Sequence, residues 1–380
     1  MKFMSLLIFS FFLNQFVFAE SQPANTPERG KTKALMHFFY GEISQLRPYL
    51  VSEEKFADPK AQALIKKSLE NLVQKTDSLH PPAEIEASPG FKTTFYLIAD
   101  HFKKTQEVFL AGELEYARVR LNGTTNLCVQ CHTQVPDKKS NFGFGATATE
   151  LSEVNYPNAE FLFITRRFDS SLNQFDQLAR NYPKSGLKSD ELNDLYRKKL
   201  AIFARVKRDP TLAINNLTED LKNSNLPADV VANLKSWIET FNKFKSEGVQ
   251  LNKMNDRELM AYANKNLSLE PSRKIAPANP EAVKLLYLSG LFYERLMKDP
   301  HGKNSGEWLY YLGLCEKSLS NLYWYSLADI YWKECIVTNA KTPIAQRCYK
   351  AYDESMRAKF TGEPSPSVKQ SLEVLKKYLR

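Results

Sequence analysis

The sequence predicts an all-α protein. Glycine is scarce, 14 of 380 residues, so few positions invite a break. Apolar residues recur at i, i+3, i+4 and i+7 along almost the whole chain, the period of a helix with one buried face. No run alternates apolar and polar side chains as a half-buried strand would.

The chain opens on an export signal. A lone basic residue, Lys2, precedes the apolar run Leu6 to Leu13, and Val17-Phe18-Ala19 offers short side chains at the −3 and −1 positions, with Ala19 the expected cleavage site. The run is broken by Asn14 and Gln15 and falls short of the roughly 20 apolar residues a bilayer span requires. Residues 1–19 are therefore read as a signal peptide and 20–30 as a linker. Cleavage leaves 361 residues, and since Lys2 is lost with no acid, the net charge falls from +9 to +8. No cysteine follows the cut to carry a lipid anchor, and no later stretch is apolar enough to span a membrane. The expected compartment is a bacterial periplasm.

Four helices follow. The first runs from about Thr32 to Leu50 with Met36, Phe39, Tyr40, Ile43, Leu46 and Leu50 on its apolar face. The second runs from about Pro59 to Leu79, with Ile65, Leu69, Leu72, Thr76 and Leu79 on one side, and His80-Pro81-Pro82 ends it. The third, from about Pro89 to Leu110, uses Phe91, Phe95, Ile98, Phe102 and Phe109. Ala111-Gly112 turns the chain into a fourth, from about Glu113 to Gln134, which Pro136 stops. Helices of similar length joined by short connections are antiparallel neighbours, so residues 31–136 read as an up-down-up-down four-helix bundle.

The last turns of the fourth helix carry Cys128-Val129-Gln130-Cys131-His132. Two cysteines three apart lie on one helix face, where both sulfurs can form thioethers to one edge of a porphyrin, and the next residue points at the iron. One covalent haem c is the expected cofactor, with His132 its proximal ligand. Two other readings of the motif lack support: a structural zinc would need a fourth ligand, and a thioredoxin-like CxxC would sit near a βαβ pattern, which is absent. Leu121-Asn122-Gly123-Thr124-Thr125-Asn126-Leu127 followed by this motif resembles the fourth helix of the cytochrome c′ and cytochrome c-556 family, over about residues 31–136. In that family a residue near the start of the first helix faces the iron. The start of helix one lies beside the end of helix four in such a bundle, which makes Met36, on the apolar face, the candidate distal residue, by ligation or by packing alone. His37, rotated about 100° from it, is the alternative. His80 and His101 are read as surface or cap residues, and His301 as a loop residue.

Beyond the motif, residues 137–157, with Asn141-Phe142-Gly143-Phe144-Gly145 and no periodicity, read as a linker. Helical hairpins follow over 158–250, from about Ala159 to Asn181, Asp190 to Arg205 and Ala228 to Phe244. Polar, Pro-containing residues 251–280 are read as a second linker, its polarity beginning at Gly248. In 281–380, Trp324, Leu327, Ala328 and Tyr331 stand at the spacing of a tetratricopeptide helix, echoed by Leu286, Gly290 and Tyr293, but Gly290 and Gly313 are too close for a regular repeat. This part is read as tetratricopeptide-like, and the aromatic residues Trp308, Tyr310, Tyr311, Tyr323, Tyr325 and Trp332 as core. Three cysteines lie here. Cys335 and Cys348 fall about one turn either side of the bend between two antiparallel helices, Leu322 to Thr338 and the one Pro343 opens, which predicts a disulfide; Cys315 is left as a buried thiol.

Residues 31–136 hold 13 Lys and Arg against 12 Asp and Glu, so the basicity lies towards the C terminus, where a solvated Lys-rich exterior accounts for it. No phosphate loop, serine elbow or second metal cluster occurs, and the acid pairs Glu53-Glu54 and Glu113 with Glu115 stand at helix starts. The expected function is single-electron transfer rather than catalysis, with the C-terminal helices docking a redox partner protein and no nucleic-acid partner. The alternative is an envelope interaction or assembly protein whose haem is structural or a gas or redox sensor.

Overall fold

The computed structural model describes residues 27–50, 52–77, 91–134, 153–267, 270, 275–276, 279–321, 327–358 and 366–379. The signal peptide, most of the 137–157 linker, His80, Tyr323, Trp324 and Tyr325 lie outside them. Among the described residues every regular element is helical, and no helix is long and apolar enough to cross a membrane.

The first core gathers four long helices: α1 (Pro27–Leu50), α3 (Pro59–Asp77), α4 (Phe91–Leu110) and α5 (Leu114–Gln134). A short helix, α2 (Glu53–Ala57), precedes α3; Ser52 caps it by accepting from Lys55 N, and its Glu53 and Glu54 complement the helix dipole as expected. Phe56 of α2 packs edge-on to Phe109 of α4, ring centroids 6.0 Å apart. Leu35, Phe39, Leu46, Ile65, Leu69, Leu72, Phe102 and Leu121 fill the interior. The buried stripe of α1 is thus centred on Leu35, Phe39 and Leu46, and Met36, Tyr40 and Ile43 sit on its flank. Gly112, at φ +83°, makes the tight turn between α4 and α5 that a side chain would strain.

Two donors fix the direction of α1 against α5. The carbonyl of Leu50, at the end of α1, accepts from Arg118 Nη1 at 2.9 Å and Asn122 Nδ2 at 3.3 Å, near the start of α5. Bidentate pairing with Glu115, 2.6 Å on each side, holds Arg118 in place.

A second core gathers buried residues between Ala159 and Leu375. Its helices are α6 (Tyr156–Ile164), α7 (Phe168–Arg180), α8 (Ser189–Ala201), α9 (Pro210–Asp220), α10 (Ala228–Lys253), α11 (Asp256–Asn266), α12 (Glu281–Lys298), α13 (Ser305–Ser318), α14 (Ala328–Thr338), α15 (Pro343–Arg357) and α16 (Pro366–Lys376). Several expectations change. The first hairpin helix is two, broken at Arg166, and α8 continues as a π-helical turn, Ile202–Lys207. Helix α9, opened by the Asp209 cap on Thr211 N and Leu212 N and by Pro210, was not expected. The linker at 251–280 is largely helical: α10 extends to Lys253, and the reciprocal Asn255–Glu258 capping box starts α11. Trp308, Tyr311, Tyr331 and Trp332 are buried as core, and α14 begins at Ala328 rather than Leu322.

Cys335 of α14 and Cys348 of α15 form a disulfide with Cα atoms 6.2 Å apart, and Cys315 is a buried free thiol. Pro343 occupies the first turn of α15 and Thr342 caps it. The loop is short, with a sequence separation of 13. Cys335→Ser with Cys348→Ser should therefore lose about 3 kcal/mol of unfolding free energy in denaturant titration. Peptide mapping without reduction should recover a Cys335–Cys348 pair and alkylatable Cys315 after unfolding; a link to Cys315 contradicts the arrangement.

Candidate functional site

Helix α5 carries Cys128-Val129-Gln130-Cys131-His132 in its last two turns. Cys128 and Cys131 belong to its backbone, but their side chains lie outside the described residues; His132 and Thr133 are described. His132 is partly buried, and its Nδ1 meets the carbonyl oxygen of Ile164, the last residue of α6. A carbonyl only accepts, so Nδ1 carries the hydrogen and the lone pair is left on Nε2. Burial, with the nearby Arg166 charge adding to it, lowers the His132 pKa to about 4, and the ring is neutral at neutral pH. A neutral imidazole with Nδ1–H engaged and Nε2 unprotonated is the form that ligates a metal.

The helix end that supplies this carbonyl is shaped by a left-handed residue. Arg166 has φ 64°, its N–H bonds to Phe163 O at 3.0 Å, and Arg167 N–H bonds to Leu162 O at 2.8 Å. This is a Schellman closure with arginine where glycine is usual. A left-handed arginine costs on the order of 1 kcal/mol relative to glycine. The closure uses the Leu162 and Phe163 carbonyls and leaves that of Ile164 to His132. The Arg166 side chain, 5% exposed, donates from Nη1 to the backbone carbonyl of His132 and stacks 5.5 Å over Phe168.

Thr133 is held in turn. Arg205, in the π-helical turn, donates from Nη1 to Thr133 Oγ1 at 3.3 Å and from Nε to Ser289 Oγ at 2.9 Å, and pairs through Nη2 with Glu316 of α13. Both Arg205 and Glu316 side chains are fully buried. Gly290 lets α12 approach this turn; a Cβ there would lie 2.8 Å from the Arg205 carbonyl.

Met36 is partly buried against the first core. It shares a helical stripe with Tyr40 and Arg47, both of which meet α6: Tyr40 lies 4.8 Å from the Phe161 ring, and Arg47 stacks 4.7 Å over that ring and donates to Asn158 at 2.8 Å. Met36 precedes Leu50 by as many residues as His132 follows Arg118, about 21 Å of helix rise in each case. Met36 and His132 are thus equally far along their helices from the Leu50–Arg118 contact. His37 is partly buried beside Met36, and His301 is exposed in a loop.

His101 is a correction. It is buried rather than on the surface, 6% exposed, and its Nε2 faces both the Arg120 carbonyl and Thr124 Oγ1 at 3.0 Å. Arg120 Nε donates to Thr105 Oγ1 at 3.1 Å, and Thr105 Oγ1 to the His101 carbonyl at 2.6 Å, so a polar ladder locks α4 to α5. Among the described residues no group of three or more His, Cys, Asp or Glu side chains forms a multi-ligand metal centre. Compared with known proteins, the chain matches no family model, no curated protein and no solved structure.

Sequence reasoning missed Ile164, Arg166, Arg205 and Glu316, whose contacts are long-range and leave no local signal.

Burial and the Arg120 charge lower the His101 pKa from 6.5 to about 4. The unfolded chain therefore binds this proton more readily than the folded one below pH 6.5. Stability is fully present above about pH 6.5 and falls as the pH drops towards 4, by up to about 3 kcal/mol. His101→Gln, which cannot titrate, should show a flatter dependence of unfolding free energy between pH 7 and pH 4; an unchanged slope contradicts the assignment.

Proposed function

We propose that the chain is an exported mono-haem c-type cytochrome whose first four long helices form the haem-bearing bundle. The observation that carries this reading is the tautomer of His132: directly after a CxxC pair stands an imidazole whose Nδ1–H is already engaged by a backbone carbonyl. Its donor set suits haem, since one neutral imidazole and two cysteines on one helix face are what covalent attachment requires. When bound, haem supplies one-electron chemistry through its iron.

The chain's residues have distinct parts in this reading. Cys128 and Cys131 would hold the ring by thioether bonds, and Nε2 of His132 would ligate the iron. Met36, as far from the Leu50–Arg118 contact along α1 as His132 is along α5, would face the opposite side, as ligand or shield, with His37 the alternative. The signal peptide would deliver the chain to the periplasm, where a redox partner would meet the surface of the helical region from α6 onward. The low glycine content, the helical spacing and the resemblance to the cytochrome c′ and c-556 family support the same assignment.

Haem staining after denaturing electrophoresis tests the central claim. Wild-type protein, matured in a host that attaches haem c, should stain, either single alanine variant at Cys128 or Cys131 should keep one thioether, and the double variant should lose all covalent haem. Covalent haem on the double variant, or none on the wild type, overturns the proposal.

Met36→Ala should open the distal side. Its ferrous form should bind carbon monoxide faster and more tightly than wild type, read by flash photolysis and titration. Identical binding removes Met36 from the site and moves attention to His37. A six-coordinate wild type favours electron transfer, whereas a five-coordinate one that already binds carbon monoxide favours sensing.

A further inference from the structure

The second helical region does more than adjoin α5; two of its residues, the last of α6 and one in the turn that follows, hold the motif histidine by both its ring and its backbone. The carbonyl of Ile164 takes the Nδ1 hydrogen, and the Arg166 guanidinium takes the His132 carbonyl. Neither contact belongs to the four helices of the first core. Arg166 sits in the left-handed conformation that glycine would adopt without strain, and its buried side chain reaches the end of α5.

We propose that Arg166 is a positioning residue for the proximal ligand, and that the α6–α7 turn is thereby the proximal clamp through which the second helical region sets the reduction potential of the haem. This rests on the cytochrome reading above. Two effects act through the clamp with opposite signs. The Ile164 carbonyl makes the imidazole a stronger donor, which favours ferric iron. The desolvated Arg166 charge disfavours the additional positive charge of the ferric state, and with the side chain buried it is weakly screened. The backbone of the turn supplies the first effect and the side chain the second, so substitution at one position separates them.

Arg166→Gly suits the φ of 64° better than arginine and keeps the Schellman closure, so the Ile164 carbonyl stays in place while the charge is lost. Arg166→Lys keeps a charge on a flexible stem. Each variant is purified as the full haem-bearing chain, and three quantities are read: covalent haem by staining, the midpoint potential by spectroelectrochemical titration, and thermal stability. The expected result is a lower potential in Arg166→Gly with covalent haem retained, and recovery towards the wild-type potential in Arg166→Lys. A merely structural role would move stability and leave the potential where it was. Should Arg166→Gly not yield folded protein, Arg166→Asn, also tolerant of the left-handed region, takes its place with the same expectation. An unchanged potential in a haem-bearing glycine or asparagine variant, or a lysine variant no closer to wild type than the neutral ones, overturns the clamp alone. A wild-type protein without covalent haem overturns the cytochrome reading and the clamp with it.

Discussion

The carbonyl of His132 must find a donor. It lies in the last turn of α5, where a helix leaves its final four carbonyls without intrahelical partners, and the end is packed against other helices rather than open to water. Arg166 supplies the donor, Ile164 engages the ring of the same residue, and Arg205 holds the next one. The seam between the two cores is built on this helix end. If α5 stopped a turn earlier, Arg166 would lose its contact with His132 and Arg205 its contact with Thr133.

Arg205 shows how much is committed to that seam. Removing one member of a buried pair strands the other in a low-dielectric interior, at a cost of about 3–5 kcal/mol. Here the pair joins the π-helical turn to α13 and also reaches Ser289 on α12 and Thr133 on α5. The widened turn after α8 is thus the point where three segments of the second region meet the motif helix. Its glycine neighbour, Gly290, has no room for a methyl group for the same reason.

Much of the helical order was legible from local signals. Pro59 opens α3, and Gly112 turns α4 into α5; Pro343 with Thr342 opens α15, and each of these acts within a turn of its own position. The disulfide was legible because Cys335 and Cys348 straddle a two-helix bend that Pro343 marks. What escaped was either a signal overridden by composition or one that has no local trace. Asn255 and Glu258 form a standard capping box inside a stretch whose polarity suggested a connection, and Asp209-Pro210 is a helix start of the same kind. The break at Arg166 has no such trace, because its strain is offset by a contact with a residue 34 positions earlier in the chain. His101 escaped for a related reason: histidine is common at surfaces, and only the opposing Arg120 carbonyl and Thr124 hydroxyl make its burial affordable.

Cys315 lies on α13, which packs against both helices that carry the disulfide. Cys315 stands nine residues, about 13 Å of helix rise, along α13 from Gly306, whose carbonyl lies against Cys335. Exchange proceeds through the thiolate, and complete burial with Glu316 beside it pushes the Cys315 thiol well above its ordinary range. The crosslink is therefore kinetically insulated from the one free thiol described in its neighbourhood. Once Cys335 and Cys348 have joined, Cys315 does not reshuffle them in the folded chain.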